Sequence, residues 1–252
     1  MRILLCNDDG VLAPGLRALH RVLAERHTVI VCAPATECSA KSNCLTLRQP
    51  LKLEKHHIGD AVFHGLGGYP ADAAKFGLQV LCKDHPPDLV VSGINNGLNT
   101  GQNVFYSGTV AAATEGTFAG IPAIAFSMDA SKEFLFDDAA EIALQIVEKR
   151  AELPLPAEIL LNVNIPRLPA SQIKGWKVSR MGVARFSESF TRRPSPDGGV
   201  WYWVDGSKDY HDPEPEHDDF QVHTGWVTIS PLKMDLTAPD WTSALQGWNL
   251  TP

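Results

Sequence analysis

Long apolar runs, paired cysteines and an excess of positive charge are all missing from this chain of 252 residues. No stretch reaches the roughly 18 uninterrupted apolar residues that a membrane span needs, so no membrane partner is expected. The first residues lead straight into two aspartates, without the basic, then apolar, then small order of an export signal. Five cysteines (Cys6, Cys32, Cys38, Cys44 and Cys82) are an odd number, and no Cys-x-x-Cys spacing occurs. They read as reduced thiols of a cytoplasmic protein, not as a disulfide frame or a zinc site. A net charge of −7 argues against a protein that neutralises a nucleic-acid duplex. Seven acids against one lysine between Asp205 and Asp219 carry most of that charge, and the remainder is close to neutral.

What is present is an ordinary apolar fraction of 44%, enough for a real core. The most informative stretch is the first ten residues. Ile3, Leu4, Leu5 and Cys6 run without a charge, which suits a strand buried on both faces. The run then stops on Asn7-Asp8-Asp9-Gly10. Two adjacent carboxylates at the C-terminal end of a buried strand sit where open α/β sheets bind ligands. They are costly there unless something positive lies between them, and a hard divalent cation prefers such oxygens. The plainer alternative is a turn whose aspartates cap the helix that starts near Gly15.

Taken in order, the spacing predicts a helix over 15–24, a strand over 28–32 and a small, polar loop over 36–43. Short strand-like pieces follow at 46–47, 51–55 and 61–63, and a helix with proline in its first turn over 70–82. Strands over 88–92, 123–126 and 159–163 alternate with helices over 107–119 and 137–149. That alternation predicts an α/β fold, a three-layer, doubly wound, mostly parallel sheet of Rossmann-like type, over residues 1–180. Residues 181–252 read as an arm used in oligomerisation, then a return strand over 226–229 and a last helix over 239–246. Phe186, Phe190, Trp201, Tyr202 and Trp203 are too much aromatic area for the segment 183–224 to bury alone.

Three predicted strand ends offer oxygen ligands at one sheet edge: Asp8 and Asp9, the loop with Ser39 and Asn43, and Asn95 with Asn96 and Asn99. A fourth element, Tyr106-Ser107-Gly108-Thr109, opens a helix whose free N–H groups and hydroxyls make an anion site. A metal site beside an anion site is what metal-assisted phosphate-ester hydrolysis requires. Each part alone has a simpler reading, Ser107 as an N-cap and Gly93–Gly97 as a turn. Their coincidence at four strand-to-helix junctions is the signal.

Several motifs together resemble the SurE (survival protein E) phosphatase family. They are Asn7-Asp8-Asp9-Gly10, Ser42-Asn43, Pro70-Ala71-Asp72, Val91-Ser92-Gly93-Ile94-Asn95, Tyr106-Ser107-Gly108-Thr109-Val110-Ala111-Ala112-Ala113 and Asn162-Val163-Asn164-Ile165-Pro166. Tyr202-Trp203, Ser230-Pro231-Leu232 and Asp235-Leu236-Thr237 extend the resemblance toward the C-terminus. It implies hydrolysis of nucleoside 5′- or 3′-monophosphates, and in some members of short polyphosphate, with one Mg²⁺ or Mn²⁺ per subunit. By that resemblance Asp8, Asp9, Ser39 and Asn95 hold the metal. Asn43, Ser107, Gly108 and Thr109 hold the phosphate, with Asn99 as a further candidate. It also implies a homodimer or homotetramer built through C-terminal elements. Two departures stand out: Cys38-Ser39-Ala40 where the family usually has Arg-Ser-Gly, and Tyr69 where it commonly has Thr.

Two rivals remain at this level. A phosphatase with Asp8 as nucleophile would form a phosphoenzyme, but its usual signature separates the two aspartates by one residue. A nucleotide-binding sensor could use the same pocket without turnover. Whether the attacking group is a metal-bound water or a side chain is open. The acidic stretch with His211 and His217 is read as a solvated loop, His56-His57 as exposed, and Cys38 and Cys44 as packing residues.

Overall fold

A computed structural model of the chain describes residues 1–128, 136–150, 152–209 and 212–248. The opening run forms β1 (Arg2–Cys6), and its alternating side chains feed two cores. Ile3 and Leu5 join the cluster built by α1 (Pro14–Ala24) and α4 (Phe136–Arg150), while Leu4 and Cys6 join the opposite one. That opposite cluster is supplied by α2 (Pro70–Phe76) and α3 (Gly108–Phe118). A strand apolar on both faces therefore lies at the middle of three layers, as its uninterrupted hydrophobicity requires.

The main sheet has nine strands in the order β3-β4-β2-β1-β5-β6-β7-β11-β8. Strands β2 (Thr28–Pro34), β5 (Leu89–Asn96), β6 (Ala123–Met128) and β7 (Ile159–Ile165) continue β1 in parallel, and β4 (Ala61–Leu66) pairs parallel with β2. The edge strand β3 (Leu53–Ile58) is antiparallel to β4, which is the expected hairpin. After β1 the chain moves to β2 on one side, and β5 later joins β1 on the other. The order reverses between β1 and β5, and in open α/β sheets that reversal leaves a crevice at the strands' C-terminal ends.

Beyond β7, β8 (Trp176–Val178) leads to a separate antiparallel ribbon of β9 (Arg185–Pro194) and β10 (Val200–Asp209). A short helix, α5 (Asp218–His223), follows, and β11 (Val227–Lys233) then enters the main sheet antiparallel to β7. The last helix, α6 (Pro239–Gln246), has the expected bounds. Among the described residues no helix is long and apolar enough to cross a membrane.

Four expectations need correction. Residues 46–47 form no strand, because Asp72 takes the Thr46 N–H and hydroxyl and pins the segment as a loop. The helix after Pro70 is α-helical only to Phe76 and turns to π geometry over Gly77–Leu81. There Gly77 lies so close to the sheet that a Cβ would come within 2.6 Å of Leu4 Cδ1. The acidic stretch is not simply solvated: Asp212, Asp218 and Asp219 are buried, and His217 Nδ1 meets Asp212 Oδ1 at 2.8 Å. His211 lies outside the described residues. His56 and His57, expected between strands and exposed, instead lie within β3, where His57 is exposed and His56 half-buried.

Candidate functional site

The crevice between β1 and β5 collects the groups that the sequence singled out. Gly10, with φ of 102°, turns the chain sharply after the aspartates, and Asn7 Nδ2 donates to its carbonyl at 2.9 Å. Asp9 Oδ2 accepts the N–H of Asn96 at 3.0 Å, tying the end of β1 to the end of β5. Between Ser92 and Asn95 the register of β5 against β6 shifts, a bulge-type irregularity that re-aims the residues beyond it. Asn95 Nδ2 donates to the Gly97 carbonyl at 2.7 Å, and among the described residues its Oδ1 accepts no hydrogen bond.

The N-terminus of α3 closes against Asp8. A Cβ on Gly108 would lie 2.7 Å from Asp8 Cβ and 2.8 Å from Pro70 Cγ, so only glycine permits the approach. Ser107 caps the helix by accepting the Val110 N–H at 3.1 Å. The Gly108 N–H has no acceptor among the described residues. Thr109, fully buried, donates its hydroxyl to Asp8 Oδ1. In this structure that hydroxyl meets the carboxylate and not the space beyond the helix end.

The loop after β2 arrives less tightly. Cys38 N–H donates to the Asp8 carbonyl at 2.8 Å, which sets Ser39 beside the aspartates. Ser39 is exposed, and its hydroxyl donates to Glu37 at 2.8 Å. Ala40 stands at φ 56°, which places a Cβ in the left-handed region. Ser42 bonds the carbonyls of Phe105 and Tyr106, which brings exposed Asn43 next to the segment leading into α3. Cys38 is half-buried, whereas Cys44 is exposed and packs no core. Tyr69 is half-buried at the start of α2, its N–H held by Asp72 at 2.9 Å.

Both carboxylates are strained electrostatically. Burial above all, and then the Asp9 charge, push the Asp8 carboxyl up to about 7, although the Thr109 hydrogen bond holds it down. Asp9 is also raised, by burial first and then by Glu37, against the Asn96 N–H. A bound cation would relieve both. Among the described residues no three His, Cys, Asp or Glu side chains converge. Two carboxylates, completed by the amide oxygen of Asn95 and the hydroxyl of Ser39, would make a hard donor set that fits Mg²⁺ or Mn²⁺ and not a thiol-seeking metal.

Sequence reasoning gave no role to Ser127, Asn162 and Asn164, the side chains that hold Asn99 at this edge. Asn99 N–H donates to Asn164 Oδ1 (2.8 Å), and its Nδ2 donates to Ser127 Oγ (2.8 Å). Its carbonyl accepts from Asn162 (2.7 Å) and Asn164 (3.2 Å). The available signal was the presence of asparagines at 162 and 164 in a strand otherwise fit for burial.

The family model described as survival protein SurE matches residues 3–188. A 5′-nucleotidase SurE of Syntrophobacter fumaroxidans is 41% identical over 251 residues, covering 99% of this chain and all of that protein. The crystal structure of SurE protein from Aquifex aeolicus superposes with a TM-score of 0.85 at 36% identity, covering 98% of each chain. With the motif-bearing loops gathered at one crevice and matches of this extent, the chain belongs to the SurE family.

Proposed function

We propose that the chain is a phosphoric monoester hydrolase that releases phosphate from nucleoside 5′- or 3′-monophosphates with the help of one divalent cation. The observation that carries this reading is the packing of Gly108 on Asp8, which sets a helix N-terminus against a buried aspartate pair. The nucleotidase name of the Syntrophobacter relative supports the substrate class.

Asp8, Asp9 and Asn95, with Ser39 after rotation of its hydroxyl away from Glu37, would hold Mg²⁺ or Mn²⁺. When bound, such a cation offsets charge on phosphoryl oxygens and lowers the pKa of attacking water. The Gly108 N–H and the positive end of the α3 dipole would receive the phosphate, with Asn43, Ser107 and Asn99 as further polar partners. Thr109 fixes the orientation of Asp8 and favours its ionised form, and its place in the first helical turn keeps it beside the phosphate.

Phosphate release from AMP by the full-length protein, after chelation and after adding back Mg²⁺ or Mn²⁺, tests the proposal. Binding without release would favour a sensor. A covalent phosphate on Asp8, seen by mass spectrometry of the quenched reaction, would favour an aspartyl nucleophile.

The ribbon supports a homodimer or homotetramer. Phe190, Trp201, Tyr202 and Trp203 are each more than half exposed and Phe186 is 38% exposed, so the parent domain does not cover them. Burying such side chains is worth about 1.5–3 kcal/mol each, and a second copy of the chain would supply the cover.

A further inference from the structure

The two roots of the β9–β10 ribbon close on one short loop. Gly182 and Ala184 precede β9 and Asp218 and Asp219 follow β10; Ala184, Asp218 and Asp219 meet residues 100–102, and Gly182 joins them through Asp218. The Asp218 carboxylate accepts the N–H groups of Gly101 (3.2 Å), Gly182 (3.1 Å) and Asp219 (2.9 Å). Asp219 accepts the Thr100 hydroxyl at 2.7 Å, and the Ala184 carbonyl accepts the Gln102 N–H at 2.8 Å. Gly101, at φ 51°, sits so close that a Cβ would lie 2.5 Å from the Ala184 oxygen. Both carboxylates are fully buried. Burying two adjacent acids is unfavourable, and here it secures a single backbone segment.

That segment is the one that matters at the crevice. It begins at Asn95, carries Asn99, and ends at Ser107 after the 3₁₀ turn Gly101–Tyr106. Asn99 is held from the sheet side by Ser127, Asn162 and Asn164. The Gly101 N–H is held from the other side, by the Asp218 carboxylate.

We propose that Asp218 is a positioning residue for hydrolysis, holding Gly101 against the root of the ribbon so that Asn99 and the approach to Ser107 keep their places. This rests on the reading that puts phosphate at Asn99 and Ser107. A carboxylate suits the task because it can take three N–H groups at once. Asparagine keeps one such oxygen, and alanine keeps none.

The test uses full-length Asp218→Ala, Asp218→Asn, Asn99→Ala and the double variant Asp218→Ala/Asn99→Ala, with AMP and Mn²⁺. Asp218→Ala should lower kcat/KM about tenfold or more, Asp218→Asn less, and the double variant should fall within about twofold of Asn99→Ala. Amide exchange over 97–106 should accelerate in Asp218→Ala while β1 and β5 stay protected. If Asp218→Ala does not fold, Thr100→Val, which removes the hydroxyl that Asp219 accepts, should show the same non-additivity with Asn99→Ala. Losses that multiply, or unchanged exchange over 97–106, would overturn the proposal. Should the unaltered protein release no phosphate, the hydrolase reading falls, and the exchange data still decide whether Asp218 holds the segment.

Discussion

The hydroxyl of Thr109, in the first turn of α3, donates to Oδ1 of Asp8 at the end of β1. One bond thus joins the candidate anion site to the candidate metal site. It favours the ionised form of Asp8, since a hydrogen bond to a carboxylate stabilises the charge. Thr109→Val should therefore raise the Asp8 pKa and shift the acidic limb of Mn²⁺ binding upward by about one pH unit. Ser107→Ala should weaken inorganic phosphate binding and leave metal affinity near its original value. Calorimetric titrations of both variants from pH 5 to 8 separate the two roles, and identical metal curves for Thr109→Val and the parent would contradict the first.

Asp8 also sets a pH dependence of stability. Its carboxyl is raised from 3.8 to about 7 in the folded chain, so the native state binds the extra proton. Stability without metal is greatest below the unfolded pKa and falls as pH rises through the folded one. Asp218, raised to about 6 mainly by burial, adds in the same direction over a lower window. The Asp8 share is on the order of 4 kcal/mol between pH 4 and 7. Thermal melts of chelated protein should show this decline, and saturating Mn²⁺ should offset most of it at pH 7.5.

Replacing Asp8 or Asp9 by asparagine should lower phosphate release by about 100-fold or more, several kcal/mol of transition-state stabilisation. Asp8→Asn should at the same time stabilise the metal-free protein above pH 7, because an unpaired buried charge is gone. Near-normal turnover of either variant at limiting metal would place the cation elsewhere.

Ala40→Gly removes a Cβ from a left-handed position at φ 56°. The gain should be about 0.5–1 kcal/mol, the strain relieved less the extra freedom of glycine in the unfolded chain. Chemical denaturation measures it directly.

The ribbon should govern assembly. Replacing residues 186–208 by a short linker should lower the oligomeric state in analytical ultracentrifugation while Mn²⁺ binding persists. The deletion must stop short of Asp218 and Asp219, whose loss would loosen the loop at Thr100 and Gly101. A full-length chain that sediments as a monomer at micromolar concentration would refute the assembly reading.

The layered fold was legible because it follows from local pattern. Uncharged runs such as 3–6 and 89–91 suit buried strands, and the alternation with amphipathic helices leaves a parallel sheet as the economical arrangement. Asp8, Asp9, Asn95 and Ser107 could be named because each stands where a strand or helix ends, and such ends are marked by residue type along a few positions. Tertiary structure decided what those groups touch. That Thr109 turns to Asp8, that Ser39 turns to Glu37, and that Asp218 reaches Gly101 across 117 positions depend on packing no local pattern encodes. The acidic stretch from Asp205 to Asp219 shows the limit most clearly. Its composition favours water, and only the fold supplies the backbone N–H groups that let Asp218 be buried.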